Sequence, residues 1–508
     1  MTTSIRSRFT FSLGANMLKA VLGFLTGMLV ARGLGPDQYG KMMFLLATFT
    51  ALRQLLDVGS STAFFTFLSQ RPRSKRFVAW FSAWLGVQFL VPLLAVGLLF
   101  PAAWMELIWK GEQRSLVVLA FVAAYMQSTV WAVVMQMGES QRQTRWVQGV
   151  GAAVTLLHLL LVAVSWWQEW LGIRLILAAI AIEWAVAAWL VAKQLRFPAQ
   201  PDERESFGDV LKEFGRYCLP LIPYSWLGFA YDFADRWLLQ TYGGSVQQAY
   251  YAVALQFGAI VAIATSSILN VFWKEIAEAH QQENHERVAM LYRRVSRGLF
   301  LVAASMAGYL LPWSGDILRL TLGPAYVGGA MVLAIMFVYP IHQSMGQLGA
   351  AMLYATGRVR AQVVLGMVSM ASSILVTYFV LAPADAPIAG FGLGSVGLAG
   401  KMVVLQFLAV NAVAFYLARS MRISFDWTYQ LICGLGCFGS GWLAYVISNG
   451  FHFASGQVWA GLLMSAILHS LMLLALIWLV PSLTGLSRSE LMNALRALVG
   501  TKLSHGNR

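Results

Sequence analysis

Long apolar segments follow one another along almost the whole chain, separated by short polar stretches. The segments 77–105, 115–138, 147–168 and 427–449 contain no Asp, Glu, Lys or Arg. Each is longer than the roughly 20 residues that an α-helix needs to cross a bilayer. The pattern therefore predicts an all-α polytopic membrane protein. Hydrophobic length predicts about fourteen transmembrane helices, over the approximate spans 9–31, 40–66, 77–100, 115–138, 147–168, 171–194, 215–239, 247–273, 295–313, 327–353, 361–382, 391–418, 427–448 and 457–481.

Charged loop residues set the expected orientation. With the N-terminus in the cytoplasm, the inside loops hold most of the basic loop residues, and the outside loops hold few, chiefly Arg32, Lys110, Arg114 and Arg319. Lys and Arg are retained in cytoplasmic loops. We therefore expect an even helix count with both termini in the cytoplasm.

The composition agrees with a membrane protein and excludes a nucleic-acid partner. Hydrophobic residues make up 58% of the 508 residues and charged residues 11%, whereas a soluble domain carries about 25% charged residues. The net charge of +14 is what basic cytoplasmic loops produce. No soluble stretch is large enough to form a nucleic-acid-binding domain.

Sequence motifs for metal, nucleotide or covalent chemistry are missing. Cys218, Cys433 and Cys437 lie in membrane segments and form neither a CxxC motif nor a zinc spacing. The chain has no GxxxxGK[ST] and no GxGxxG after a strand. We expect no metal, no cofactor and no catalytic residues, hence no enzyme. Uphill transport would then require an ion gradient.

Charges inside the apolar segments are the main indication of function. In the first segment Ser12, Asn16, Lys19, Gly23 and Thr26 recur at steps of three and four, which places them on one helix face. A seam against a neighbouring helix would explain the small residues. Lys19 needs a carboxylate or a wet cavity, because a cation at bilayer depth costs roughly 2.5–3.5 kcal/mol. We predict a cationic cavity, with Asn16 and Lys19 in a substrate site.

The second segment repeats this pattern with Thr50, Arg53, Asp57 and Ser60. Arg53 and Asp57 are four residues apart on a helix and are predicted to pair. One interpretation is a self-neutralised pair that only lowers the cost of insertion. The functional interpretation is that Arg53 binds phosphate through its guanidinium fork, while Asp57 holds it when the site is empty and serves ion coupling.

The seventh segment carries a second polar face. It includes Tyr224 and Tyr231, whose rings could stack on sugars, although tyrosines near a membrane interface are common. Asp232, Asp235 and Arg236 lie toward its outer end. They are predicted to form an outer gate or cation-coupling site, with a simple interfacial ion pair as the alternative. The predicted substrate set is completed by Asn270, Lys274 and Gln343.

Two further ionisable groups lie at membrane depth in the first half. Glu183 is an isolated carboxylate in the sixth segment and is expected to find a partner across the bundle. His158 lies in the fifth segment, and a neutral imidazole with one hydrogen bond is the commoner state for such a residue.

A faint internal repeat indicates two halves. Gly35-Pro-Asp-Gln-Tyr opens the second segment and Ser245-Val-Gln-Gln-Ala-Tyr opens the eighth, and we align Tyr39 with Tyr250. The period spans six helices, so the halves would have parallel topology. Transporters built this way hold their substrate between the halves near the midplane. The alternative is two unrelated helix starts.

Several short motifs carry a family resemblance. They are the stretch from Leu29-Val-Ala-Arg-Gly to Tyr39-Gly, then Leu56-Asp-Val-Gly, Tyr217-Cys-Leu-Pro, Asp235-Arg-Trp and Ala355-Thr-Gly-Arg. In this order and spacing the chain resembles the polysaccharide transporters of the multidrug/oligosaccharidyl-lipid/polysaccharide (MOP) flippase superfamily.

The resemblance implies two parallel six-helix lobes around a central cavity, with two additional C-terminal helices. We expect an N-lobe over 1–194, a cytoplasmic linker over 195–214, a C-lobe over 215–420, two helices over 421–481 and a cytoplasmic tail over 482–508. The Wzx-type branch implies flipping of undecaprenyl-pyrophosphate-linked oligosaccharide across the bacterial inner membrane by alternating access, for O-antigen or exopolysaccharide synthesis. Expected partners are membrane lipids, H⁺ or Na⁺, and the polysaccharide polymerase and assembly proteins.

Three alternatives remain open. A lipid-linked peptidoglycan precursor flippase of the same superfamily would face the same pyrophosphate. A cation-coupled drug exporter is disfavoured by repulsion from Lys19 and Arg53. A membrane polysaccharide polymerase or glycosyltransferase would generally need sizeable outer loops, and the outer loops here are short.

Overall fold

The computed structural model describes residues 5–195, 197, 206–421, 425–450, 458–485 and 490, without the side chains of 5–10, 262–264, 266–268, 270, 271, 273 and 274. Within these ranges the chain is helical and contains no β-strand. The α-helices are, in chain order, α1 (Ile5–Asp57), α2 (Ser60–Gln70), α3 (Lys75–Leu94), α4 (Ala102–Trp109), α5 (Arg114–Tyr125), α6 (Trp131–Ser140), α7 (Thr144–Trp167), α8 (Ile173–Gln194), α9 (Phe207–Cys218), α10 (Ile222–Gln281), α11 (His285–Leu310), α12 (Ser314–Leu322), α13 (Ala330–Ala355), α14 (Val359–Leu381), α15 (Gly394–Met421), α16 (Trp427–Gly450) and α17 (Val458–Leu479).

The helices confirm the predicted fold class. Among the described residues, 11 helical stretches are long and apolar enough to cross a membrane. The count of fourteen stays a prediction. One of the eleven stretches, in α1, runs through two predicted spans, and α10, which covers most of the seventh and eighth predicted spans, is not among the eleven.

The chain forms two compact units. The first contains Met1–Ala252 and Met370–Ser395, and the second contains Val253–Ser369 and Val396–Arg508. The five sequence ranges expected for lobes, linker, extra helices and tail stay a prediction.

In the first unit, α1 and α10 are both kinked at a glycine within a predicted turn. Gly35 has φ 73° and ψ 168°, and Gly244 has φ 76° and ψ −177°. Such positive φ values are readily adopted only by glycine. The two kinks share one backbone conformation, and the register that matches the glycines differs by two residues from the alignment of Tyr39 with Tyr250. A side chain at Gly40 would collide with the main-chain carbonyl of Ser245, so the two kinked segments lie in direct contact.

The second predicted span, 40–66, is interrupted in the structure. Helix α1 ends at Asp57, the chain turns through Val58 (φ 46°) and Gly59 (φ 79°), and α2 begins at Ser60. The seventh predicted span also starts differently. Helix α9 lies before a 3₁₀ turn at Leu219–Leu221, and α10 begins after it. Pro220 lacks the amide hydrogen that a continuous helix needs at this position.

Each unit has its own apolar core. In the first unit α7 packs against α1 and α8, and α5 and α6 also pack against α8. A cluster including Phe64, Phe77 and Phe81 lies under Arg73, which is 2% exposed and donates to Glu213 over 2.6 Å. In the second unit α11 packs against α13 and α16, and α16 packs against α17.

A candidate anion site in the first unit

Arg53 lies in the membrane span of α1 and has no ion-pair partner among the residues that the structure describes. It is half-buried, and within the described residues it makes no hydrogen bond or ion pair. It lines a pocket of about 10 Å³, roughly the space of one water molecule. The other lining residues are Phe49, Leu52, Leu56, Gln88, Tyr125, Ser128 and Thr129.

The polar walls of this pocket come from a local irregularity in the neighbouring helices. Between α5 and α6 the chain forms a π-helical turn at Met126–Val130, and such turns are frequent at functional sites. The turn places Ser128 and Thr129 at the pocket. The sequence predictions missed both residues, together with Gln88 and Tyr125. The available signal was a polar triplet, Gln127-Ser128-Thr129, inside a segment without charges.

The lining groups donate to main-chain carbonyls, and within the described residues none of them accepts a hydrogen bond from Arg53. The Tyr125 hydroxyl donates to the carbonyl of Leu85 over 2.6 Å, and Ser128 donates to that of Ala124 over 2.6 Å. The Gln88 amide donates to the Leu56 carbonyl over 3.0 Å. The hydroxyl oxygens keep acceptor capacity, but none of these groups carries negative charge. The arrangement can therefore accept an anion at Arg53.

Asp57 caps α2 instead of pairing with Arg53. Its Oδ1 accepts from the Ser61 amide over 2.9 Å and from the hydroxyls of Ser60 and Ser61 over 2.8 and 2.6 Å. These bonds satisfy groups at the start of a helix, where main-chain amides lack partners. Within the described residues no ion pair joins Arg53 and Asp57, so that predicted pair was wrong.

Lys19 is tied to another helix. Its ammonium donates to Oε1 of Gln148 in α7 over 2.6 Å, and the Gln148 amide donates to Glu139 of α6 over 3.2 Å. The sequence predicted that Lys19 would need a carboxylate or a wet cavity. In the described structure Lys19 contacts a neutral amide, and the Glu139 carboxylate is linked to it only through Gln148. Asn16, one turn earlier, is exposed.

The predicted gate residues of α10 have separate partners. Asp232 accepts from the Gln54 amide, next in sequence to Arg53. Asp235 is 6% exposed and accepts from Thr377 over 2.7 Å. The Arg236 guanidinium lies 4.9 Å from the ring centre of Tyr251. Its Nη1 is buried without a hydrogen-bond partner in the described part of the chain.

The remaining predicted substrate residues are spread over both units. Tyr224 is 41% exposed on α10, and Tyr231 is half-buried on the same helix. Gln343 is half-buried on α13 in the second unit. The side chains of Asn270 and Lys274 lie outside the described residues. Within the first unit, the Gln54–Asp232 contact joins a predicted gate residue to the residue that follows Arg53 in sequence.

Two titratable groups outside the membrane spans, Lys110 and Glu112, follow the end of α4, which contacts α10. The Lys110 ammonium is 4.4 Å from the ring centre of Trp237. Burial lowers the pKa of Lys110, and Glu106 opposes the effect. Burial raises the pKa of Glu112, against the attraction of Lys41. Trp237 also donates to the Leu107 carbonyl over 3.0 Å, so α10 is fixed to the end of α4.

Comparison with known proteins identifies a family over more than half of the chain. The family model described as "Polysaccharide biosynthesis protein" matches residues 6–273. No curated protein matches the chain significantly.

Solved structures share the fold at low sequence identity. A structure of the lipid II flippase MurJ in an inward closed conformation has a TM-score of 0.70 at 12% identity, covering 92% of this chain and 99% of that one. An inward-facing multidrug resistance MATE family transporter of the MOP superfamily has a TM-score of 0.58 at 15% identity, covering 82% and 99%. A MOP superfamily transporter from Pyrococcus furiosus has a TM-score of 0.51 at 14% identity, covering 82% and 95%. The chain therefore has the fold of MOP superfamily transporters.

Proposed function

This chain belongs to the family of polysaccharide biosynthesis proteins, and we propose that it flips undecaprenyl-pyrophosphate-linked oligosaccharide from the cytoplasmic to the periplasmic leaflet of the bacterial inner membrane. The cycle would be alternating access driven by an H⁺ or Na⁺ gradient. Both termini would lie in the cytoplasm. The polymerase and assembly proteins of the same polysaccharide would act on the product.

The observation that carries this proposal is the uncompensated charge of Arg53. A buried or half-buried cation normally has a carboxylate partner, since an unpaired charge in a low-dielectric region is costly. Arg53 has none within the described residues. A pyrophosphate supplies the missing negative charge, and a guanidinium fork matches two phosphate oxygens.

The other polar groups have supporting roles in this proposal. Lys19 adds positive charge from the same helix, Asn16 and Gln343 meet polar substrate groups, and Tyr224 and Tyr231 meet sugar rings. Asn270 and Lys274 are retained as substrate contacts from the sequence. Asp57, Asp232, Asp235 and Arg236 are proposed for gating or ion coupling, because the contacts described above join them to neutral groups that an ion or a conformational change can displace.

A complementation experiment tests the proposal. The chromosomal gene is deleted, and export of the lipid-linked oligosaccharide is compared for wild type, Arg53→Ala and Arg53→Lys at matched membrane levels. The matched control is Lys41→Ala, since Lys41 is a half-exposed cation on the same helix, paired with Asp37 over 2.9 Å. We expect accumulation of undecaprenyl-linked units in the cytoplasmic leaflet with Arg53→Ala and normal export with Lys41→Ala.

Other outcomes identify the alternatives. Rescue of a strain lacking its peptidoglycan precursor flippase would assign lipid II, the substrate of the flippase MurJ, to this chain as well. If the lipid-linked units reach the outer leaflet in cells without this protein but remain unpolymerised, the protein acts in polymerisation and not in flipping. Drug resistance that is unaffected by Arg53→Ala would favour a drug exporter.

A further inference from the structure

Helices α7 and α8 hold a pair of ionisable groups that the proposed anion site does not use. Nδ1 of His158 lies 2.7 Å from Oε2 of Glu183. Both side chains are largely buried, with 15% and 7% of their side-chain surfaces exposed. His158 lies eleven residues after Val147, where the predicted span 147–168 begins, so helical rise places it about 17 Å into that span. This depth is close to the middle of a bilayer core of about 30 Å.

Among the described residues, the side chains of His158 and Glu183 form hydrogen bonds or ion pairs only with each other. The second carboxylate oxygen, Oε1 of Glu183, is buried with no partner there. An unsatisfied carboxylate oxygen is costly in such surroundings, and intramembrane ionisable groups of this kind mark ion and proton sites.

The protonation chemistry of the pair follows from this contact. An ionised Glu183 only accepts hydrogen bonds, so a neutral His158 donates from Nδ1 and leaves the lone pair of Nε2 free. In that state the pair has a net charge of −1. One proton from a hydronium ion forms an N–H bond at Nε2 as an O–H bond of the donor breaks and water is released, and the net charge of the pair becomes zero. Uptake of one proton therefore removes a net charge from the membrane interior.

The other charged groups of α7 and α8, and the two groups that contact α7 at Gln148, lie at other levels. Lys19 of α1 and Glu139 of α6 both meet α7 at Gln148, ten residues before His158 and about 15 Å away by helical rise. Arg145 is near the start of α7, and Arg174 and Lys193 are near the two ends of α8. None of them forms an ion pair with His158 or Glu183 in the described structure.

We propose that His158 and Glu183 together bind the proton whose gradient drives transport. The inference rests on the proposed function, and it assigns coupling to a site separate from Arg53 and from the carboxylates of α10. Proton binding at the pair would favour one of the two states of the alternating-access cycle. Release of the proton on the opposite side of the membrane would favour the second state.

The test uses the full-length protein in proteoliposomes. The probe is an undecaprenyl pyrophosphate that carries one N-acetylhexosamine, and flipping is followed with an imposed pH gradient while an internal dye reports proton movement. The variants are His158→Gln and Glu183→Gln. The matched controls are His285→Gln and Glu283→Gln, which remove the same two groups from exposed positions. We expect the rate of gradient-driven flipping to fall at least about tenfold in both pair variants, since a factor of ten corresponds to one unit of pKa. The two control variants should keep the wild-type rate.

A second measurement does not depend on transport or on the probe. Infrared difference spectra of the intact protein between alkaline and acidic conditions should show an imidazole protonation signal that His158→Gln reduces and His285→Gln, at an exposed position, does not account for. Gradient-driven flipping and this signal both unchanged in the variants would overturn the inference. If wild type does not flip the probe, the proposed function fails, and the infrared signal still decides whether the pair binds a proton.

Discussion

Lys19 and Arg53 are two cations in the membrane part of one helix, and their surroundings differ. Lys19 donates to Gln148, which in turn contacts Glu139. Arg53 faces hydroxyl, amide and apolar groups, with no anion among the described residues. A cation that already has a carboxylate within reach contributes chiefly to helix packing, whereas an unpaired one can bind an incoming anion. The comparison indicates that Arg53 is the principal phosphate ligand.

The largest effect is expected from Arg53→Ala. Charge-assisted hydrogen bonds are worth about 1.5–3 kcal/mol, which corresponds to a loss of about 10- to 150-fold in flipping rate. Arg53→Lys keeps the charge but loses the fork geometry, so an intermediate rate is expected. The measurement is leaflet-resolved quantification of the lipid-linked oligosaccharide, and a wild-type rate for Arg53→Ala at wild-type membrane level would contradict the assignment.

Lys19→Ala is expected to affect stability more than transport. It leaves the Gln148–Glu139 pair without its cation, and a stranded buried polar group costs about 1–3 kcal/mol. Thermal unfolding in lipid nanodiscs measures this loss. The double variant Lys19→Gln with Glu139→Gln removes both charges and should recover most of the stability. If Lys19→Ala instead reduces transport as much as Arg53→Ala and does not destabilise the protein, the two cations contribute equally to anion binding.

Gln148→Leu sharpens the comparison between Lys19 and Arg53. It removes the hydrogen-bond acceptor of Lys19, so that Lys19, like Arg53, has no hydrogen-bond acceptor among the described residues. Loss of the hydrogen bond between Lys19 and Gln148 is expected to destabilise the protein by up to about 3 kcal/mol, the upper value for a hydrogen bond to a charged group. The freed ammonium should also raise the affinity for inorganic pyrophosphate, which isothermal titration measures. Unchanged affinity would mean that Lys19 lies outside the reach of the anion.

The smallest effect is expected at Asp57. Asp57 accepts from the first turn of α2, whose N-cap residue is Gly59. Asp57→Ala should therefore cost about 1 kcal/mol, and Asp57→Asn should cost less because an Asn side chain can accept the same bonds. Thermal unfolding of both variants measures the difference. If Asp57→Asn instead changes the pH or sodium dependence of flipping, Asp57 acts in ion coupling as well as in capping.

Several parts of the fold were predictable because their causes are local. Apolar length identified the membrane helices, and Gly35 marked a turn where the structure places a kink with φ 73°. Interruption of the second span was not predicted. Its cause is visible in the sequence, where Asp57-Val-Gly-Ser-Ser provides a flexible turn followed by cap acceptors and donors. The π-helical turn near Arg53 has no comparable local signature.

The sequence by itself determined that the chain is a helical membrane protein, where two of its kinks fall, and that cations lie inside its spans. Each of these follows from residue type, hydrophobic length or glycine backbone freedom within a short stretch. Only the tertiary structure decided which cation is paired, because the partner of Lys19 lies 129 residues away in the chain. In the same way it brought His158 to Glu183, 25 residues apart on different helices. Electrostatic compensation depends on distances of a few ångströms across helices, and those distances are set by packing.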